Sequence, residues 1–152
     1  MNCSARPECI HIQELTYSCG PCSILNVLCL KGKTTENEES LAKICGAEPG
    51  VGTSNESMID ACAKVGLEVV ESEYNASLDD IRRHLDRGAY VIVNYLNAFS
   101  GNGHYAAIVN YDEMAFYLAD SSLGALRLSN EHLLNHWHSG DRATLRWYLS
   151  VK

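Results

Sequence analysis

The sequence predicts an α+β fold with a mainly antiparallel sheet, and three observations carry the prediction. The first half of the chain holds three stretches with apolar residues at helical spacing. From Leu67 onward the pattern shortens to strand-like runs rich in β-branched and aromatic residues. Runs of helices followed by runs of strands define α+β rather than α/β. At 152 residues, without internal repeat, low-complexity segment or linker, the whole chain 1–152 reads as a single domain.

In chain order, GPCSILNVLCLKG is the first helix, with Pro21 in the first turn and Gly32 at the stop. EESLAKICG is a short second helix ended by Gly46, and SNESMIDACAKVG a third, with Ser54 as its cap. Pro and Gly make AEPGVGTSN a loop between them. LEVVE is a first strand. SLDDIRRHLDRG follows as a helix with Ser77 and Asp80 in capping-box spacing and Gly88 as terminator. AYVIVNYL, HYAAIVNY, MAFYLAD, GALRLS and ATLRWYLSV are strands, the last two separated by the helix NEHLLNHWH.

Composition narrows the function classes. The chain is 46% hydrophobic and 20% charged, ordinary for a soluble globular protein. It has no apolar run of membrane-spanning length, and MNCSARPECIHIQ lacks the pattern of a signal peptide, so a cytoplasmic location is expected unless export is signal-independent. A net charge of −7 argues against nucleic acid as a partner and leans toward a basic or neutral peptide. The seven cysteines, an odd count in the first half of the chain, do not form a disulfide framework. Cys29 and Cys62 fall on apolar helical patterns and read as core.

The motif that carries chemistry is SCGPC, residues 18–22. As a thioredoxin-type dithiol it lacks a preceding strand and any proline beyond residue 49. As half of a zinc site it lacks a second Cys-x-x-Cys, and His132, His136 and His138 read as a solvated helix face. As a nucleophile, Cys19 in the first turn of a helix gains thiolate character from the helix dipole. Gly20 then spares the sulfur a neighbouring side chain, and Cys22 reads as core.

A nucleophilic cysteine needs a base, and the base an orienting group. HYAAIVNY and MAFYLAD form a hairpin. A three-residue loop over Tyr111–Glu113 would set His104 directly opposite Asp120, Ala106 opposite Leu118 and Ile108 opposite Phe116; a two-residue turn would oppose His104 to Ser121 instead. Gln13, six residues before Cys19, could offer its amide with the Cys19 N–H to a developing oxyanion. The AFSGNG loop before His104 could act as a flap over the substrate.

The set Gln13-x5-Cys19-Gly20, His104-Tyr-Ala-Ala-Ile-Val and Tyr117-Leu-Ala-Asp120-Ser-Ser-x-Gly124 resembles the bacteriocin-processing (double-glycine leader) peptidases. These are papain-like cysteine peptidases, often the front domain of peptide-exporting ABC transporters. The resemblance spans nearly the whole chain. It implies a papain-like fold, with an N-terminal helical subdomain carrying the nucleophile packed on the sheet. Carried over by position, it implies Cys19 as nucleophile, His104 as base, Asp120 as orienting acid and Gln13 as oxyanion donor. The implied chemistry needs no cofactor and no metal, and its partner is a peptide or protein substrate. Family members often carry an acidic residue just before the cysteine, where this chain has Ser18. No transmembrane or ATPase segment follows, so a free-standing member is expected. The similar Cys-His-Asp set of phytochelatin synthase performs transpeptidation, so acyl transfer or deamidation through the same thioester is the alternative. A catalytically silent binding domain and a redox protein are the rivals from other classes.

Overall fold

A computed structural model describes residues 10–32, 35–97, 100–139 and 145–152. Among these residues five helices and six strands follow in the order α1 (Cys19–Leu30), α2 (Glu38–Cys45), α3 (Asn55–Lys64), β1 (Val69–Glu73), α4 (Leu78–Asp86), β2 (Tyr90–Leu96), β3 (Gly103–Tyr111), β4 (Ala115–Asp120), β5 (Gly124–Ser129), α5 (Asn130–His136) and β6 (Tyr148–Val151). The strands form one sheet in the order β1-β6-β2-β3-β4-β5, with every neighbouring pair antiparallel. Helices α1–α3 pack on one face through Ile24, Val27, Leu41, Met58, Ile92, Ala107 and Leu149. Helices α4 and α5 cover the other through Ile81, Leu85, Leu133, Val91, Val93, Ile108 and Leu118. Burial on both faces explains why YVIVNYL is almost continuously apolar rather than alternating.

Local signals account for the helix ends. Ser54 accepts the Ser57 N–H, and Ser77 and Asp80 form the expected capping box. Asn37 and Ser40 form another at α2, whose C-terminus closes on Gly46 in the left-handed region. The sequence placed the first strand two residues too early. It also made the last strand too long: β6 begins at Tyr148, and residues 143–144 lie outside the described ones. Cys62 is core as expected, but Cys29 is only half-buried, because α1 reaches the surface in its last turn. His132 and His136 are also half-buried, with rings stacked 4.2 Å apart, so the face they share is partly solvated. The flap reading of AFSGNG falls partly on residues 98–99, outside the described ones.

The β3–β4 hairpin corrects the expected register. Its turn has two residues, Glu113 and Met114, held by Asp112, whose Oδ1 accepts the Met114 and Ala115 N–H groups at 2.8 and 2.9 Å. Near the turn Tyr111 pairs with Phe116 and Asn110 with Tyr117. Continued unchanged, that register would set Asp120 opposite Ala107, on the other face of the sheet from His104. A β-bulge between Ile108 and Asn110 absorbs one residue, after which Ile108 pairs with Leu118 and Ala107 with Ala119. His104 and Asp120 therefore share a face but meet diagonally, not directly across.

Candidate active site

Cys19 is the first residue of α1 and remains partly exposed. Pro21 sits in the first turn, where its missing N–H costs no helical bond. Ser18 occupies the N-cap position without capping; its hydroxyl donates instead to Glu38, with the Leu15 carbonyl 2.9 Å away as a second acceptor for the same proton. Gly20, expected to clear space beside the sulfur, also meets a second constraint. A Cβ there would lie 2.8 Å from Met58 Sδ and 3.2 Å from Thr53 Cβ, so the glycine lets α3 approach the start of α1.

Gly103 does the same beside His104. Its Cβ would lie 2.6 Å from Ser139 Cβ and 3.2 Å from Ser139 Cα, and backbone yields less readily than a side chain. Gly103→Ala is therefore expected to destabilise the fold by about 1–3 kcal/mol through overpacking. Urea unfolding of the variant against wild type measures this.

His104 is buried near the start of β3, and its Nε2 lies 3.1 Å from both Asp120 oxygens. The Cys19 side chain is near enough to the same ring for each group to favour the charged form of the other. Asp120 is fully buried at the end of β4. Its Oδ1 accepts the Ser122 and Leu123 N–H groups at 2.7 and 3.0 Å, and its Oδ2 accepts the Tyr95 hydroxyl at 2.5 Å. Tyr95 lies directly opposite His104 across β2–β3, and its ring meets the imidazole edge-on at 5.7 Å.

The electrostatics follow from these contacts. Burial raises the Cys19 thiol, but the His104 bond and charge, with the backbone N–H groups of Tyr105 and Gly20, outweigh it and leave the pKa below its ordinary value. Burial alone would depress His104; its bonds to Asp120 and Cys19 prevail and push it up to about 9. Burial also opposes charge on Asp120, yet His104, Tyr95 and the Ser122 N–H keep it below the usual carboxylate range. The three groups thus favour a thiolate–imidazolium–carboxylate arrangement.

Gln13 lies in the segment before α1, tied to the turn after Asp120. Its N–H donates to the Ser121 carbonyl at 2.8 Å, and its Oε1 accepts the Ser121 hydroxyl at 2.6 Å. Its amide nitrogen donates to the Leu15 carbonyl at 2.8 Å. The structure therefore links Cys19, His104 and Asp120 in one chain of contacts and fastens Gln13 beside Asp120.

Cys22 is fully buried, with its sulfur 3.8 Å from the Ser18 hydroxyl. Burial and the nearby Glu38 charge push its thiol up to about 12. Donor atoms of His11, Cys22 and Glu38 lie within 4.8 Å of one another, close enough to share an ion. The Glu38 carboxylate is already taken up by the Glu14 and Leu15 N–H groups, the Ser18 hydroxyl and the His11 ring, so the cluster is a hydrogen-bonded hub.

Tyr95 and Glu38 were invisible to sequence reading. Tyr95 belongs to an apolar run where tyrosine reads as core, and Glu38 to a charged helix start. Tyr95→Phe removes one hydrogen bond to Asp120. It is expected to slow Cys19 alkylation at pH 6 by about 3- to 10-fold, in line with a net loss near 1 kcal/mol. A stopped-flow alkylation rate equal to wild type would deny Tyr95 that influence.

The architecture, with a helix bearing Cys19 packed on an antiparallel sheet, is the fold of the papain-like C39 peptidase domains. Residues 8–139 match the Peptidase_C39 like family, and the chain belongs to it. An uncharacterised protein of Methanothermobacter thermautotrophicus is 30% identical over 131 residues, covering 86% of this chain and 84% of its own. Among solved structures, a C39-like peptidase from Bacillus anthracis superposes with a TM-score of 0.72 at 13% identity, covering 96% of this chain and 95% of its own. The peptidase domain of Streptococcus ComA, a bifunctional ABC transporter of a quorum-sensing pathway, gives 0.70 at 18% identity, covering 94% and 95%. A double-glycine-motif protease from a PCAT transporter, in complex with its leader peptide, gives 0.69 at 17% identity, covering 94% and 89%. Among the described residues no helix is long and apolar enough to cross a membrane.

Proposed function

We propose that the protein cleaves a peptide or protein amide bond, with Cys19 as nucleophile, His104 as base and acid, Asp120 as orienting group and Gln13 as oxyanion donor. The observation that supports this is the buried imidazole of His104, held through Nε2 by the Asp120 carboxylate and close enough to Cys19 to lower the thiol pKa. With Nε2 engaged by Asp120, Nδ1 takes the Cys19 proton. The thiolate then adds to the carbonyl carbon, and the C=O electron pair moves onto oxygen. The Cys19 N–H and the second hydrogen of the Gln13 amide stabilise that oxyanion, an interaction worth roughly 3–4 kcal/mol per donor. Collapse breaks the C–N bond, the imidazolium protonates the leaving amine, and a thioester remains on Cys19. Water, deprotonated by His104, releases the acid. Asp120 holds the tautomer without taking the proton.

The leader-peptide complex of the PCAT protease supports a peptide as the substrate class. The net charge of −7 favours a basic or neutral one. The test is acylation by the p-nitrophenyl ester of N-acetylglycine, followed by peptide mapping. The expected result is one acyl group, on Cys19. No acylation, or acylation of another cysteine, overturns the reading.

A further inference from the structure

We propose that Glu38 is a positioning residue for acyl transfer, its carboxylate fixing the segment from His11 to Ser18 so that the Gln13 amide is held at the reacting carbonyl. This rests on the roles given above to Cys19 and Gln13. Glu38 opens α2, distant in sequence from both, and is buried. Its Oε1 accepts the N–H groups of Glu14 and Leu15, at 3.0 and 2.9 Å, and the hydroxyl of Ser18. Its Oε2 lies 3.0 Å from the Glu14 nitrogen and 2.7 Å from the His11 ring nitrogen. One carboxylate therefore grips the chain on both sides of Gln13 and at the residue before Cys19. Asn26 of α1 adds a further tie, accepting the His11 N–H at 2.7 Å.

The opposite side of Gln13 is fixed by Ser121, as described. Since a hydroxyl donates to Oε1, the amide nitrogen must be the other end of the group. The oxyanion donor is thus suspended between the Glu38 hub and the turn that follows Asp120. The hub needs a carboxylate, because all its neighbours donate. A glutamine there would turn an NH2 group toward hydrogen-bond donors and release part of the segment. Displacing a catalytic group by ~1 Å costs on the order of 10²-fold in rate.

The test compares wild type, Glu38→Gln, Gln13→Ala and the double variant by two rates. Alkylation of Cys19 by iodoacetamide requires the thiolate but forms no oxyanion. Acylation by the p-nitrophenyl ester of N-acetylglycine requires both. Glu38→Gln is expected to slow acylation about tenfold or more, to leave alkylation within about twofold, and to add little to Gln13→Ala. Unchanged acylation, a parallel fall in alkylation, or full additivity with Gln13→Ala overturns the proposal. If Glu38→Gln does not fold, Glu38→Asp, which keeps the charge and withdraws it, is read the same way. If neither folds, Glu38 serves the fold and not the positioning of Gln13. Wild-type protein that is not acylated on Cys19 would instead defeat the catalytic reading itself, whatever Glu38 does.

Discussion

Cys19→Ala is expected to abolish acyl transfer, by at least about 10³-fold, whereas Cys22→Ala retains activity within a few-fold. The two thiols differ in environment, not in spacing. Cys19 is partly exposed and lies beside an imidazole whose hydrogen-bonding and charge lower its pKa against the effect of burial. Cys22 is sealed in the core, where burial and then the Glu38 charge push its thiol up to about 12. A thiol without thiolate is neither a nucleophile nor a ready redox partner. Hydrolysis of peptide libraries by the two variants measures the difference. A redox protein would give the opposite result for Cys22→Ala, along with a reversible Cys19–Cys22 disulfide in the wild type.

The second large effect is in pH dependence. The Cys19 pKa lies below its ordinary value, so the thiolate survives acidification beyond the point where a free thiol is protonated. The His104 pKa is raised to about 9, so the imidazolium survives up to that pH. The ion pair occupies the window between them, and peptide cleavage should fall on the acid side with Cys19 and on the alkaline side near pH 9. Iodoacetamide labelling resolved by site, from pH 5 to 9, should find Cys19 faster than Cys22, Cys45 and Cys62, whose thiols burial pushes up to about 12. His104→Ala removes the largest source of thiolate stabilisation. Its rate at pH 6 should drop roughly tenfold or more, with the acid limb moving toward the ordinary thiol range. An unchanged profile would mean that the pair is not assembled in the free protein.

What could be read from the chain and what could not divide along a physical line. Ser54, the Ser77–Asp80 box and Gly46 act on backbone within a few residues, so spacing alone located them. Gln13, Cys19, His104 and Asp120 could likewise be picked out as candidates, because each residue type suits the role proposed for it. The hairpin register was not legible. Whether His104 and Asp120 share a face depends on a bulge of one residue, and no local signal in HYAAIVNY marks it. The packing constraint on Gly20 was not legible either, since Thr53 and Met58, which a Cβ there would meet, come from a distant segment.

By itself, then, the sequence determined the α+β class, the helix limits set by caps, and a cysteine at a helix start with a histidine and an aspartate on successive strands. These depend on side-chain chemistry and on contacts within about one turn of helix. Only the tertiary structure decided that Tyr95 would reach Asp120, that the bulge would bring His104 and Asp120 to one face, and that Glu38 would gather the segment around Gln13. Hydrogen bonds have short reach and strict direction. Partners between 16 and 25 residues apart meet only after the sheet and its helices have packed.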